Sequence, residues 1–97
     1  MTSNRNAIIA YQRDRGLCRW CLHKRNQFNK VTAPPHHIFG HRWDEPEYQI
    51  TLCMVRKDGS MGCHSRIHDK GDINRQDIVN LAIETIWDGE DKTPEDW

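Results

Sequence analysis

Histidine and cysteine are the residues through which this chain could do chemistry: six of the first and four of the second stand among 97 residues. His64 and His68 are four apart in a segment that reads as a short helix from Cys63 to Asp69, so both rings fall on one face and can share a metal ion. His36 and His37 are adjacent in His36-His37-Ile38-Phe39, which follows Pro34-Pro35 and is extended by preference. Neighbours on an extended backbone point to opposite faces, so only one of the two can join the metal and the other is left to act as a base. That division suits hydrolysis of a phosphodiester at a single metal. The ion polarises the phosphate and stabilises the leaving oxygen, while a separate neutral imidazole takes a proton from water.

The cysteines form two pairs. Cys18 and Cys21 have two residues between them, a spacing that lets both thiolates reach one tetrahedral zinc. Cys53 and Cys63 have nine between them, a gap that a loop can close. Zinc, disulfides and free buried thiols are the alternatives. The N-terminal residues carry no apolar leader-like stretch and no apolar run approaches the ~20 residues of a membrane span, so the expectation is a cytoplasmic compartment with reduced thiols and no membrane partner. There a cysteine quartet reads better as zinc.

These residues need a scaffold, and the composition limits it. Only 36% of residues are hydrophobic and 29% are charged, so a chain of this length has a small core and gains from a staple. Ala7, Ile8 and Tyr11 fall near one face of a predicted helix over about 6–15, capped by Ser3 or Asn4 and ended by Gly16. Residues 22–34 read as a loop or weak hairpin, 41–47 as a loop, and Gln49 to Met54 as the best strand. Ile78, Leu81, Ala82 and Ile86 mark a helix over about 75–87, with Asp72 or Asn74 as its cap, and 88–97 is expected to be a frayed acidic tail whose Trp97 could dock. Net charge is zero, but residues 1–42 hold eight Lys or Arg and one acid, while 43–97 hold six and thirteen. The basic half could face a polyanion such as nucleic acid, or could be ordinary solvated charge.

Taken in order, Cys18-x2-Cys21, His36-His37-Ile38, Leu52-Cys53 and Cys63-His64-Ser65-Arg66-Ile67-His68 resemble the HNH endonucleases with a ββα-metal core, across roughly residues 5–70. The resemblance implies an α+β fold: a small zinc-stapled single domain over 1–97, its ββα-metal core at about 16–71 flanked by the N- and C-terminal helices. It implies His37 as general base, with His36, His64 and His68 holding a catalytic divalent ion (Mg2+, Mn2+ or Zn2+). Cys18, Cys21, Cys53 and Cys63 would hold a structural zinc. Double-stranded DNA is the implied substrate, cut to 5′-phosphate and 3′-hydroxyl ends. Small stand-alone members are often phage-encoded, which implies packaging (terminase) proteins as partners and the cytoplasm of a bacterial or phage-infected cell. One departure stands out: the family's central Asn is replaced by Tyr48, with Gln49 beside it. Either Gln49 takes over the bracing of the base, or the loop is held in another way.

His41, Arg42, Arg66 and Arg19 are the expected contacts to the DNA backbone, with Arg13, Arg15, Lys24 and Arg25 around the zinc knuckle. Trp20, Trp43 and Trp87 are expected to pack rather than stack on bases. His23 has no assignable partner. Two rivals follow from the same residues: a catalytically impaired zinc-dependent DNA-binding or packaging-scaffold module, and a structural protein with two zinc sites.

Overall fold

The computed structural model describes residues 5–97, save the side chain of Lys70. Its elements in chain order are helix α1 (Arg5–Arg13), helix α2 (Arg19–Lys24), strand β1 (His36–His37), a 3-10 turn (Pro46–Tyr48) and strand β2 (Gln49–Ile50). Helical turn α3 (Cys63–Ser65) follows and continues as a π-helix (Arg66–Lys70), and helix α4 (Arg75–Thr85) comes last. The result is a small mixed fold of the α+β kind, with one antiparallel two-stranded sheet in the register His36 to Ile50 and His37 to Gln49.

Helix α1 ends at Arg13, two residues short of its expected end, and its anticipated caps, Ser3 and Asn4, lie outside the described residues. Gly16 has φ +67 and packs so closely under the Tyr11 ring that a Cβ would lie 2.8 Å from the hydroxyl oxygen. Tyr11 in turn donates to the Val31 carbonyl, and Val31 N–H donates back to Gly16 O at 2.7 Å. The stretch 16–18 therefore pairs with 29–31, through a bridge between Leu17 and Lys30 and a bond from Cys18 N–H to Asn29 O at 2.8 Å.

Two elements differ from expectation. The knuckle after Cys18 is the start of a helix, α2, which runs into the predicted loop. Six residues cannot hold a helix alone; Cys18 supplies the N-cap, its sulfur accepting from Cys21 N–H at 3.4 Å. The predicted strand from Gln49 to Met54 pairs only over Gln49–Ile50. Beyond it the backbone turns to other partners: Thr51 N–H donates to the Asp14 carboxylate at 2.9 Å, Thr51 O accepts from Arg19 N–H, and Cys53 O accepts from His64 N–H. The strand's continuation thus stitches together the starts of α2 and α3 instead of widening the sheet.

Helix α4 carries a capping box in which Asn74 and Asp77 satisfy each other's backbone N–H groups, which selects Asn74 over Asp72 as the cap. Its buried side chains Ile78, Val79, Leu81 and Ala82 join Ile38, Phe39, Ile50, Leu52, Ile73 and Trp87 in one core that also contains all four cysteines. Each fully buried Ile or Leu contributes about 1.5–3 kcal/mol of transfer free energy. Trp87 is buried as expected and donates its indole N–H to Glu47 O, while Trp20 and Trp43 pack on the core's margin. The tail folds back: Trp97 meets Phe39 edge-on at 5.0 Å. Among the described residues no helix is long and apolar enough to cross a membrane.

Candidate functional site

The two ends of the cysteine pattern meet in the interior. All four thiols are buried, and their sulfurs lie within 4.8 Å of one another. Cys21 Sγ is 3.8 Å from both Cys53 Sγ and Cys63 Sγ. A disulfide needs ~2.05 Å, whereas a zinc tetrahedron with ~2.3 Å bonds has edges of about 3.8 Å. Cys18 and Cys53 sulfurs accept backbone N–H bonds from Cys21 and Cys63, at 3.4 and 3.5 Å. The Arg56 guanidinium sits 3.7 Å from Cys63 Sγ, which offsets the negative charge that four thiolates bring. Hydrogen bonds among the thiols hold Cys53 below its ordinary value, while the same bonds and burial push Cys18 and Cys63 up, so without a metal the cluster favours one thiolate sharing protons with its neighbours. The four cysteines thus fit a structural metal such as zinc, tying α2 to the strand end and to α3.

The second cluster stands at the outer end of the sheet. β1 presents His36, while α3 and its π-helical continuation present His64 and His68, and their ring nitrogens also lie within 4.8 Å of one another. The His36 ring is 5.1 Å from His64 and 5.3 Å from His68, and those two are 4.6 Å apart between centroids. The π-turn, closed by Gly71 N–H donating to Arg66 O at 2.7 Å, widens the coil under His68. Burial pushes His36 down to about 3, helped by His64 and His68. Burial, with His68, lowers His64 as well. Neutral imidazoles are the form that ligates metal, and three of them leave room for further ligands on an ion.

His37 does not join this trio, although it lines the same cleft. Its Nε2 lies 2.8 Å from Asp44 Oδ1, and its ring is 4.1 Å from that of His41. Asp44 is held in turn: the fully buried Gln49 donates from Nε2 to Asp44 O at 2.7 Å and to Oδ1 at 3.3 Å, and Asn6 reaches Oδ2 at 3.4 Å. Gln49 opposes His37 across the sheet. The loop that follows β1 is therefore braced by Gln49. Tyr48 faces elsewhere, donating its hydroxyl to Lys92 O at 2.8 Å. A cleft of about 290 Å³ gathers Pro35, His36, His37, Gly40, His41, His64, His68 and Arg75.

The expected DNA contacts divide. His41 lines the cleft, and Arg42 is exposed at its side, paired with Asp96 at 2.8 Å. Arg66 instead bonds Met61 O and Asp72, at 2.9 and 2.6 Å. Arg19 is committed to the interior, where it holds Asp14 and the Thr85 carbonyl, with only 11% of its side chain exposed. A phosphate contact by either would have to break those bonds. Arg13 is likewise tied to Asp14, Pro46 O and Gln49 O. Burial alone would raise the Asp14 carboxyl, but Arg13 and Arg19 outweigh it and hold it below its ordinary value.

Three residues of consequence were not anticipated. Asp44 carried only a weak signal, a carboxylate in the loop after the histidine pair. Arg75 and Asp14 carried none, because only the tertiary fold brings them to their partners. The chain matches no family model, no curated protein and no solved structure.

Proposed function

We propose that the chain is a metal-dependent DNA endonuclease with a ββα-metal core of the HNH type. The observation that carries this reading is the convergence in one cleft of two differently prepared sets of imidazoles. His36, His64 and His68 are grouped as a ligand set, while His37 is held apart by a carboxylate. A divalent ion (Mg2+, Mn2+ or Zn2+) held by the trio would supply Lewis-acid stabilisation of the scissile phosphate and the leaving oxygen. Asp44, accepting from His37 Nε2–H, keeps the proton on that nitrogen and leaves the Nδ1 lone pair as the basic site. His37 then takes a proton from the attacking water, and the Asp44 carboxylate steadies the imidazolium that forms. The ends produced are 5′-phosphate and 3′-hydroxyl. One such site per chain nicks one strand; cutting both takes a dimer or two successive nicks. A phage or bacterial cytoplasmic setting, beside packaging proteins, belongs to the same proposal.

The test is nicking of supercoiled plasmid in each of the three metals. Metal-dependent nicking by the wild type that is lost in His37→Ala is expected. Nicking that survives His37→Ala would remove His37 as base, and no cleavage in any metal would overturn the nuclease reading. The second reading, a zinc-dependent DNA-binding or packaging-scaffold module without catalysis, draws on Tyr48 in place of the family's Asn. The bracing of Asp44 by Gln49 speaks against it, since a module that only binds has no need of an oriented His37. DNA binding without nicking would favour it.

A further inference from the structure

Arg75 stands at the first position of α4, exposed, on the wall of the histidine cleft. Its Nε donates to Ile38 O at 3.0 Å, which anchors the guanidinium to the chain just after His36-His37. One face of the group is covered by Trp97, whose ring centre lies 4.7 Å from Cζ. Arg75 also lines the adjoining hollow of about 380 Å³, again together with His36 and His68.

Its surroundings differ from those of five other arginines. Arg13, Arg19, Arg25, Arg42 and Arg66 each form an ion pair with an aspartate. Among the described residues Arg75 forms none, and the side chains that share its cleft are imidazoles. A cation set beside a ligand trio that would itself hold a cation is electrostatically uphill unless an anion joins the two. With Nε engaged, the N–H groups of both Nη atoms remain for a ligand, in the planar fork that matches two oxygens of a phosphate. The Ile38 anchor and the Trp97 cover restrict the guanidinium before any ligand arrives, so little freedom is lost on binding.

We propose that Arg75 is a phosphate-binding residue of this cleft, gripping oxygens of the phosphodiester presented to the histidine trio. The inference rests on the endonuclease reading, and its substrate class is the backbone phosphate of DNA rather than any base.

The test uses zinc-loaded full-length protein carrying His37→Ala, so that binding is read without cleavage, and a short fluorescent DNA duplex followed by anisotropy over a salt series. Arg75→Gln is expected to weaken binding by roughly three- to tenfold and to lower the slope of log affinity against log salt by about one. Arg75→Lys is expected to restore the slope but only part of the affinity, because the point charge returns without the fork. In protein that retains His37, and so cleaves, Arg75→Gln should lower kcat as well as raise KM. Unchanged affinity and slope in Arg75→Gln would overturn the proposal while leaving any cleavage by the wild type intact.

Inorganic phosphate is the second probe, titrated into 15N-labelled wild-type protein and followed at the Arg75 Nε–H resonance. A saturable shift there, in a protein that cuts no DNA, would keep Arg75 and overturn the nuclease. No shift, with no effect of the substitutions on DNA, would overturn Arg75. Should Arg75→Gln fail to fold without its Ile38 bond, judged by zinc content and melting, Arg75→Lys and the phosphate titration still decide.

Discussion

Asp44 decides which nitrogen of His37 carries a proton, and Gln49 decides where Asp44 stands. The carboxylate is 43% exposed while the His37 side chain is 10% exposed, so solvent reaches the carboxylate far more readily than the ring. Removing the charge but keeping the shape, in Asp44→Asn, is expected to lower kcat by roughly 10–100-fold with KM little changed, since the substituted group touches no substrate. Steady-state nicking kinetics check this, and an equal rise in KM would place Asp44 in binding instead. At His36 the prediction concerns protonation. Its folded value of about 3 lies below the ordinary 6.5, so as pH falls between these values the unfolded chain takes up the proton and the folded one does not. His36 therefore draws stability down as pH drops through that window, and contributes no pH dependence above it. By NMR of the ring nitrogens, His36 should remain neutral from roughly pH 7.5 to 5.5, where a free imidazole titrates. A midpoint near 6.5 would contradict its burial among the other rings.

At the scale of the elements, short pieces are held by side chains rather than by their own ladders. Asp14, with 1% of its side chain exposed, links α1, α2 and the run after β2 through Arg13, Arg19 and Thr51 N–H. Asp14→Asn would leave two partly buried cations, 25% and 11% exposed, with only their carbonyl partners, and is expected to cost about 1–3 kcal/mol in denaturant unfolding; a loss under ~0.5 kcal/mol would mean the cations re-pair elsewhere. Gly62 has the comparable role beside α3. A Cβ there would lie 2.2 Å from the Met54 carbonyl carbon, so Gly62→Ala is expected to push Cys63 away from Cys53, destabilising the fold by about 1–3 kcal/mol and weakening zinc retention against a chelator. Retention equal to wild type would show that the loop between Cys53 and Cys63 can yield.

What was legible in the sequence follows the same division. The clustering of the histidines and cysteines could be read in part because some of their spacing is local: i and i+4 on a helix, alternation on a strand, two residues inside a knuckle. α4 could be read because its apolar period is long enough to speak for itself. α2 and the π character of the turn after α3 could not, since six and five residues carry too little pattern; a sulfur cap starts the one and left-handed Gly71 ends the other. Arg19 and Arg66 read as DNA contacts because charge alone does not reveal an aspartate waiting in another element. Arg75 escaped notice for the converse reason, as its cleft is made by residues some forty positions away in β1.

For the molecule as a whole, the tail and the cleft oppose each other in charge. Residues 88–97 contain five acids and one lysine, and they fold back over the side where Arg42 and Arg75 stand. Asp96 pairs with Arg42, Trp97 covers Arg75, and Lys92 O accepts from Tyr48. Asp96 and Arg42 have 64% and 69% of their side chains exposed, so the pair holds by at most ~1 kcal/mol and yields readily to a polyanion. If the proposed endonuclease reading holds, backbone phosphates and the tail would compete for the same cation. Asp96→Asn should raise affinity for duplex DNA by about two- to threefold at low salt. The gain should fade as the ionic strength approaches ~0.15 M and the Debye length shortens to ~8 Å, because it is electrostatic in origin. Anisotropy across a salt series on the catalytically silent His37→Ala protein measures it. A gain that persists at high salt would point to a rearranged tail rather than a freed Arg42, and no gain at any salt would mean that Arg42 does not meet the DNA.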